Sequence, residues 1–104
     1  MKFRNFTSHT ITLNDGTKLQ SEGVARVKSN YSPFDENGVC SVEFCEIVGL
    51  PEPEEDTYII VTSVVAAVAV KAGRTDIVIP AISHPETVRE LGRVRSVPGF
   101  VKVQ

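Results

Sequence analysis

The stretch Thr57-Tyr-Ile-Ile-Val-Thr-Ser-Val-Val-Ala-Ala-Val-Ala-Val-Lys-Ala-Gly-Arg-Thr-Asp-Ile-Val-Ile-Pro80 decides how this chain folds. Tyr58 to Val61 is a short, fully apolar, β-branched run, the pattern of a central strand. From Val64 the valines alternate with alanines, Gly73 stands where a C-terminal cap belongs, and Lys71 complements the helix dipole. The spacing therefore predicts a helix over about residues 63–72. A polar Gly73-Arg74-Thr75-Asp76 corner then leads into a second strand, which Pro80 ends. A helix so apolar calls for cover on most of its sides, by the fold or by another subunit.

Working outward, the flanks read mainly as strands. Ile11 and Leu13 alternate into Asn14-Asp15-Gly16, a hairpin turn that returns through Lys18-Leu19-Gln20. Val24 to Val27 is another strand, and Ser32 to Gly38 a loop. Val39 to Val48 alternates, and the face made by Cys40, Val42, Phe44, Glu46 and Val48 is the more apolar, so it is expected to face the core. Cys40 and Cys45 fall in this strand at odd spacing, on opposite faces, and are not expected to pair. Pro51-Glu52-Pro53-Glu54 forms a stiff acidic connection.

The tail from Thr87 to Val103 reads as strand, turn, strand. A three-residue loop Glu90-Leu91-Gly92 pairs Val88 with Val94 and keeps both valines inward, which puts Arg89, Arg93 and Arg95 on one face. The expected architecture is thus one α+β domain over residues 1–104. It has a mostly antiparallel sheet, one short buried helix and a C-terminal hairpin.

Composition bounds the function. The chain has 104 residues, 41% hydrophobic and 23% charged, an ordinary globular balance sufficient for one core. A net charge of −2 argues against a general nucleic-acid binder. Charge is nevertheless segregated: residues 1–56 hold five Lys/Arg against ten Asp/Glu, and residues 57–104 six against three. The longest apolar run is too short to cross a bilayer, and the N-terminus carries no signal-peptide pattern, so a cytoplasmic protein with reduced thiols is expected. Asn5-Phe6-Thr7 matches a glycosylation sequon, which has no meaning without secretion.

No catalytic signature stands in the chain. Cys40, Cys45, Ser63 and Ser83 are nucleophile types, and His9 and His84 base types, but none sits in a recognised local frame. Metal-ligand spacing and a Gly-rich phosphate loop are also missing, so neither enzyme activity, a metal nor a cofactor is expected. Anion binding is the chemistry the residues do support. Thr62 and Ser63 at a helix start offer hydroxyls and free backbone N–H groups, although the same pattern serves as a simple N-cap. Arg74 and Asp76 flank Thr75 at the far end of the helix, where they also suit a local ion pair. Arg89, Arg93 and Arg95 would form a strip of guanidinium groups matched to phosphate. His9 and Tyr58 complete the candidate set, Tyr58 as a stacking surface for a base.

Asn5-Phe-Thr-Ser-His-Thr-Ile-Thr-Leu13 resembles the N-L-T-P-H-x-I-x-L opening of short proteins of bacteriophages and prophages. Val48-Gly-Leu-Pro-Glu-Pro53, Thr57–Val61, Arg74-Thr-Asp-Ile-Val-Ile-Pro80 and Pro98-Gly-Phe-Val101 are similar to later segments of that group. The chain departs from the opening at Phe6 and Ser8. The resemblance implies a phage-type product in the bacterial host cytoplasm. The expected function is a non-enzymatic, homo-oligomeric binding protein that sequesters a small phosphorylated, nucleotide-like ligand such as a host immune signal. The alternative is a protein–protein interaction module, an inhibitor of a host defence protein or a minor phage structural factor, using the acidic loop from Glu52 to Asp56.

Overall fold

The computed structural model describes residues 1–103 and, within them, all side chains but that of Cys45. Ten strands and one helix follow in the order β1 (Lys2–Asn5), β2 (Ile11–Thr12), β3 (Lys18–Leu19), β4 (Arg26–Tyr31), β5 (Val42–Val48), β6 (Thr57–Ile60), α1 (Ser63–Lys71), β7 (Ile77–Pro80), β8 (Val88–Glu90), β9 (Arg93–Ser96) and β10 (Phe100–Lys102). The fold is α+β, and four of the six ladders among the described residues are antiparallel. The two parallel ladders are the central ones. A four-stranded sheet runs β1-β6-β7-β10, with β6 parallel to both β1 and β7.

The helix predicted at about 63–72 forms over Ser63–Lys71 and is the crossover between β6 and β7. Two cores cover the two faces of the central sheet. Period-two alternation sends Ile59 and Val61 to one face, against Val65, Ala66 and Ala69 of α1, with Phe6, Ala25 and Ile77. Ile60 goes to the other face, with Val78, Ile11 and Val97, and Tyr58 packs there. Beneath the second face, β2–β3 turns where the Asn-Asp-Gly signal predicts, with Gly16 at φ 94°.

β4 and β5 form a separate ribbon on the helix side of the sheet, and here an expectation fails. The apolar face of Val39–Val48 does not enter the core: Val42, Phe44 and Val48 are exposed, and Ile47, from the opposite face, packs inward with Val27. The cause is a bulge. Lys28 pairs with Glu46 but Ser29 pairs with Phe44, which leaves Cys45 as one extra residue on β5. Opposed residues share a face and successive pairs alternate, so one continuous face carries Val27/Ile47, Ser29/Phe44 and Tyr31/Val42. The base of that face covers the core and its outer part runs past it. Cys40 lies ahead of β5 rather than within it, and the Cys45 side chain lies outside the described set.

The C-terminal hairpin forms with a different register from the expected one. The loop has two residues, Leu91 and Gly92, both left-handed at φ 53° and 79°, as a type I′ turn requires. Arg89 pairs with Val94 and Glu90 with Arg93. The expected register depends on inward valines, but Val88 and Val94 are both exposed, so no buried face selects the register and the turn does. Arg89 consequently lies on the face opposite Arg93.

Candidate functional site

The parallel strands β1, β6 and β7 end at one edge of the sheet, and their carboxyl-terminal loops gather three groups of polar residues there. Carboxyl ends of parallel strands are where open sheets place their ligands, because the loops diverge and leave backbone groups accessible. Behind β1 comes Thr7-Ser8-His9, behind β6 Thr62 and the start of α1, and behind β7 the segment Ala81–His84.

Asn5, only 1% exposed, fixes the first loop. Its Nδ2 donates to the carbonyls of His9 (2.8 Å) and Leu19 (2.9 Å), and its Oδ1 accepts from the Thr7 N–H (2.9 Å) and hydroxyl (2.6 Å). All four hydrogen-bonding positions of the amide are used. His9 is thereby held at the strand ends through its backbone, and its side chain is exposed. Asn5 is absent from the residues that the sequence singles out for a site. The signal that identifies its role is Asn two residues before Thr, the Asx-turn arrangement.

Thr62 caps α1 in extended conformation (φ −74°, ψ 163°), but its side chain makes no capping hydrogen bond and no acidic residue occupies the first turn. The first-turn N–H groups of α1 thus lack a capping side chain from Thr62 and an acidic residue within the turn itself. Ser63 is exposed at the same place.

Arg89 is tied to the third loop. Its Nη2 donates to the carbonyl of Ile82, 2.7 Å away and just beyond the end of β7. Strands lie about 4.8 Å apart, so the β1 and β7 ends frame a span of about 10 Å centred on the β6–α1 junction, the scale of a nucleotide phosphate chain.

The other candidates take other partners. Arg93 and Arg95 belong to the hairpin that contacts β2; Arg95 is paired with Glu90 and lines a small cavity with Thr10, Pro80 and Ile82. Tyr58 stacks on Phe3 (5.7 Å between centroids), which stacks on Phe100 (4.8 Å). Arg74 and Asp76 sit at the far end of α1, about 13 Å from its start. They form a fork, Nε to Oδ1 at 2.9 Å and Nη2 to Oδ2 at 2.8 Å.

Burial alone would raise the Asp76 pKa, but the hydrogen bond and charge of Arg74 outweigh it and leave the carboxyl below its usual 3.8. A depressed folded pKa means a contribution complete above pH 3.8 and lost as pH falls through the folded value. Asp76→Asn is therefore expected to cost stability in denaturant melts at neutral pH. The gap from wild type should close in acid below pH 3.8; a gap independent of pH would refute the ion pair's contribution.

A groove of about 720 Å³ opens between α1 and β5 and is lined by Val42, Glu43, Phe44, Val64, Ala67 and Val68, with Ser63 and Lys71 at its ends. Sequence reasoning misses Phe44 here because the bulge at Cys45 is invisible in the alternation. Among the described residues no group of three or more His, Cys, Asp or Glu side chains converges as a metal site, and no helix is long and apolar enough to cross a membrane. Compared with protein-family models, curated proteins and solved structures, the chain finds no match in any of the three.

Proposed function

We propose that this chain is a non-enzymatic, phage-type binding protein that holds a small phosphorylated, nucleotide-like ligand, such as a host immune signal in the bacterial cytoplasm. The ligand's phosphate sits at the carboxyl edge of β1, β6 and β7. The observation that carries the reading is the start of α1, whose first-turn donors have no side-chain cap at the junction of three parallel strand ends. His9 follows β1, and Arg89 holds the carbonyl of Ile82 beyond β7, the strands on either side of β6. Arg93, Arg74, Asp76 and Tyr58 take no part in this arrangement, nor does Arg95, which is paired with Glu90; the phosphate contacts are assigned to the backbone donors of α1 with Thr62 and Ser63.

Ser63→Asp separates binding from folding. A carboxylate in the first turn complements the helix dipole and is worth about 0.5 kcal/mol of added stability, while it repels an incoming phosphate. Calorimetric titration with a panel of mononucleotides and cyclic dinucleotides should find a binder for the wild type. The variant should bind it at least about tenfold more weakly, a loss of about 1.4 kcal/mol, with an equal or higher Tm. Undiminished affinity in the variant would remove α1 from the site.

A second reading, a protein–protein interaction module, is favoured by the exposed apolar groove rather than by the acidic loop. In that loop Glu54 is already held by Arg4 at 2.9 Å, and Arg4 also bridges to Glu22.

A further inference from the structure

Far more surface is exposed than a compact chain of this mass leaves in water. The accessible surface is 7273 Å², against about 5,700 Å² for a compact monomer of 11.3 kDa. The excess is about 1,500 Å², more than the roughly 800 Å² per partner of a standard protein interface. The radius of gyration agrees: 15.7 Å against about 13 Å for a compact chain of this length.

Part of the exposed surface is apolar and lies on one continuous face. The β4–β5 ribbon pairs with no other described strand, and a lone two-stranded ribbon is marginal in water. Beyond the pair Val27/Ile47 that covers the core, its inner face continues with Phe44, Val42 and Tyr31 and meets Val64, Ala67 and Val68 of α1 across the groove. Phe44 and Val64 are each 49% exposed and Tyr31 is 71% exposed. A fully buried aromatic covers about 150–250 Å², so Phe44 and Tyr31 alone leave roughly 250 Å² of ring surface in water, beside three valines or alanines of the helix.

We infer that a second copy of this chain docks in the groove between α1 and the β4–β5 ribbon, forming a two-fold dimer in which each ribbon clasps the partner's helix. A ridge and a groove on one surface are what a two-fold contact needs, since the same patch must serve both sides. The ribbon supplies the ridge through Tyr31 and Phe44, and the space between ribbon and helix supplies the groove. The uncovered helix face and the overlong ribbon are then one feature, each completing the other across the axis. Ser63 lies at the groove's end, so the partner copy borders the start of α1 without the dimer depending on a ligand there.

Sedimentation equilibrium of the purified full chain at micromolar concentration tests this, with Phe44→Asp, Val64→Asp and, as control, Leu91→Asp on the distant hairpin tip. The wild type and Leu91→Asp should sediment at twice the chain mass. Phe44→Asp and Val64→Asp should each weaken association at least about a hundredfold and sediment as monomers, with wild-type circular dichroism. Should either substitution unfold the ribbon, a benzophenone side chain placed at Val64 in the otherwise unchanged protein replaces it and should yield a covalent dimer on irradiation. A monomeric wild type, a dimer indifferent to both aspartates, or photo-crosslinks only to other proteins would overturn the assignment. The anion site is tested separately, by the nucleotide affinity of the wild type, so either reading can fail without the other.

Discussion

Asn5→Ala is expected to lower stability by about 3 kcal/mol, a large part of the roughly 5–15 kcal/mol that holds a small domain together. The side chain is 1% exposed and makes four hydrogen bonds, so truncation strands the Thr7 N–H and takes one donor each from the His9 and Leu19 carbonyls, leaving His9 only the Thr7 hydroxyl at 3.1 Å. A stranded buried polar group costs about 1–3 kcal/mol, and the cavity adds to it. Asn5→Asp should be nearly as damaging, because it turns the donating end of the amide into an oxygen facing two carbonyls. Thermal melts should fall by about 10–20 °C for either variant. A change below a few degrees would mean the network is not what holds the β1 loop to β3.

Gly49→Ala is the second large effect. Gly49 follows β5 at φ 84°, and a Cβ there would stand 2.7 Å from the carbonyl oxygen of Val24. Two penalties combine: about 1–2 kcal/mol for an L-residue in the left-handed region, and an overlap with backbone that has no rotamer to escape into. Gly38 is the internal control, at φ 78° with nothing within 4 Å of the place a Cβ would occupy. Gly38→Ala should therefore cost about 1 kcal/mol and Gly49→Ala about 3–4 kcal/mol in urea melts. Equal losses would show that the contact with Val24 relaxes freely.

What the sequence revealed and what it hid follow from how local each signal is. The α1 boundaries, the Asn-Asp-Gly turn and the apolar β6 run rest on neighbouring residues, and all three form where the pattern predicts. The parallel pairing of β1 with β6 joins segments more than fifty residues apart and leaves no local trace. Bulges were equally hidden. One extra residue at Cys45 carries Phe44 and Ile47 to a common face, although counting by twos separates them. Another bulge, beside Arg89, helps divide the three arginines that the pattern had placed together. Of the candidate residues, His9 follows β1, Thr62 and Ser63 follow β6, and Arg89 binds the Ile82 carbonyl beyond β7, whereas Arg74 is bound to Asp76 and Tyr58 to an aromatic stack.

The claim at the centre of this account is that the start of α1 receives a phosphate. Backbone amide NMR during titration with the nucleotide identified by calorimetry tests it most directly, since an accepted N–H bond moves the resonance of its own donor. The account predicts the largest shifts at Ser63, Val64 and Val65, smaller ones at Thr7–His9, and none at Arg93 or Arg95. Shifts confined to the Arg93–Arg95 hairpin, or a first turn of α1 that does not respond at saturation, would contradict it.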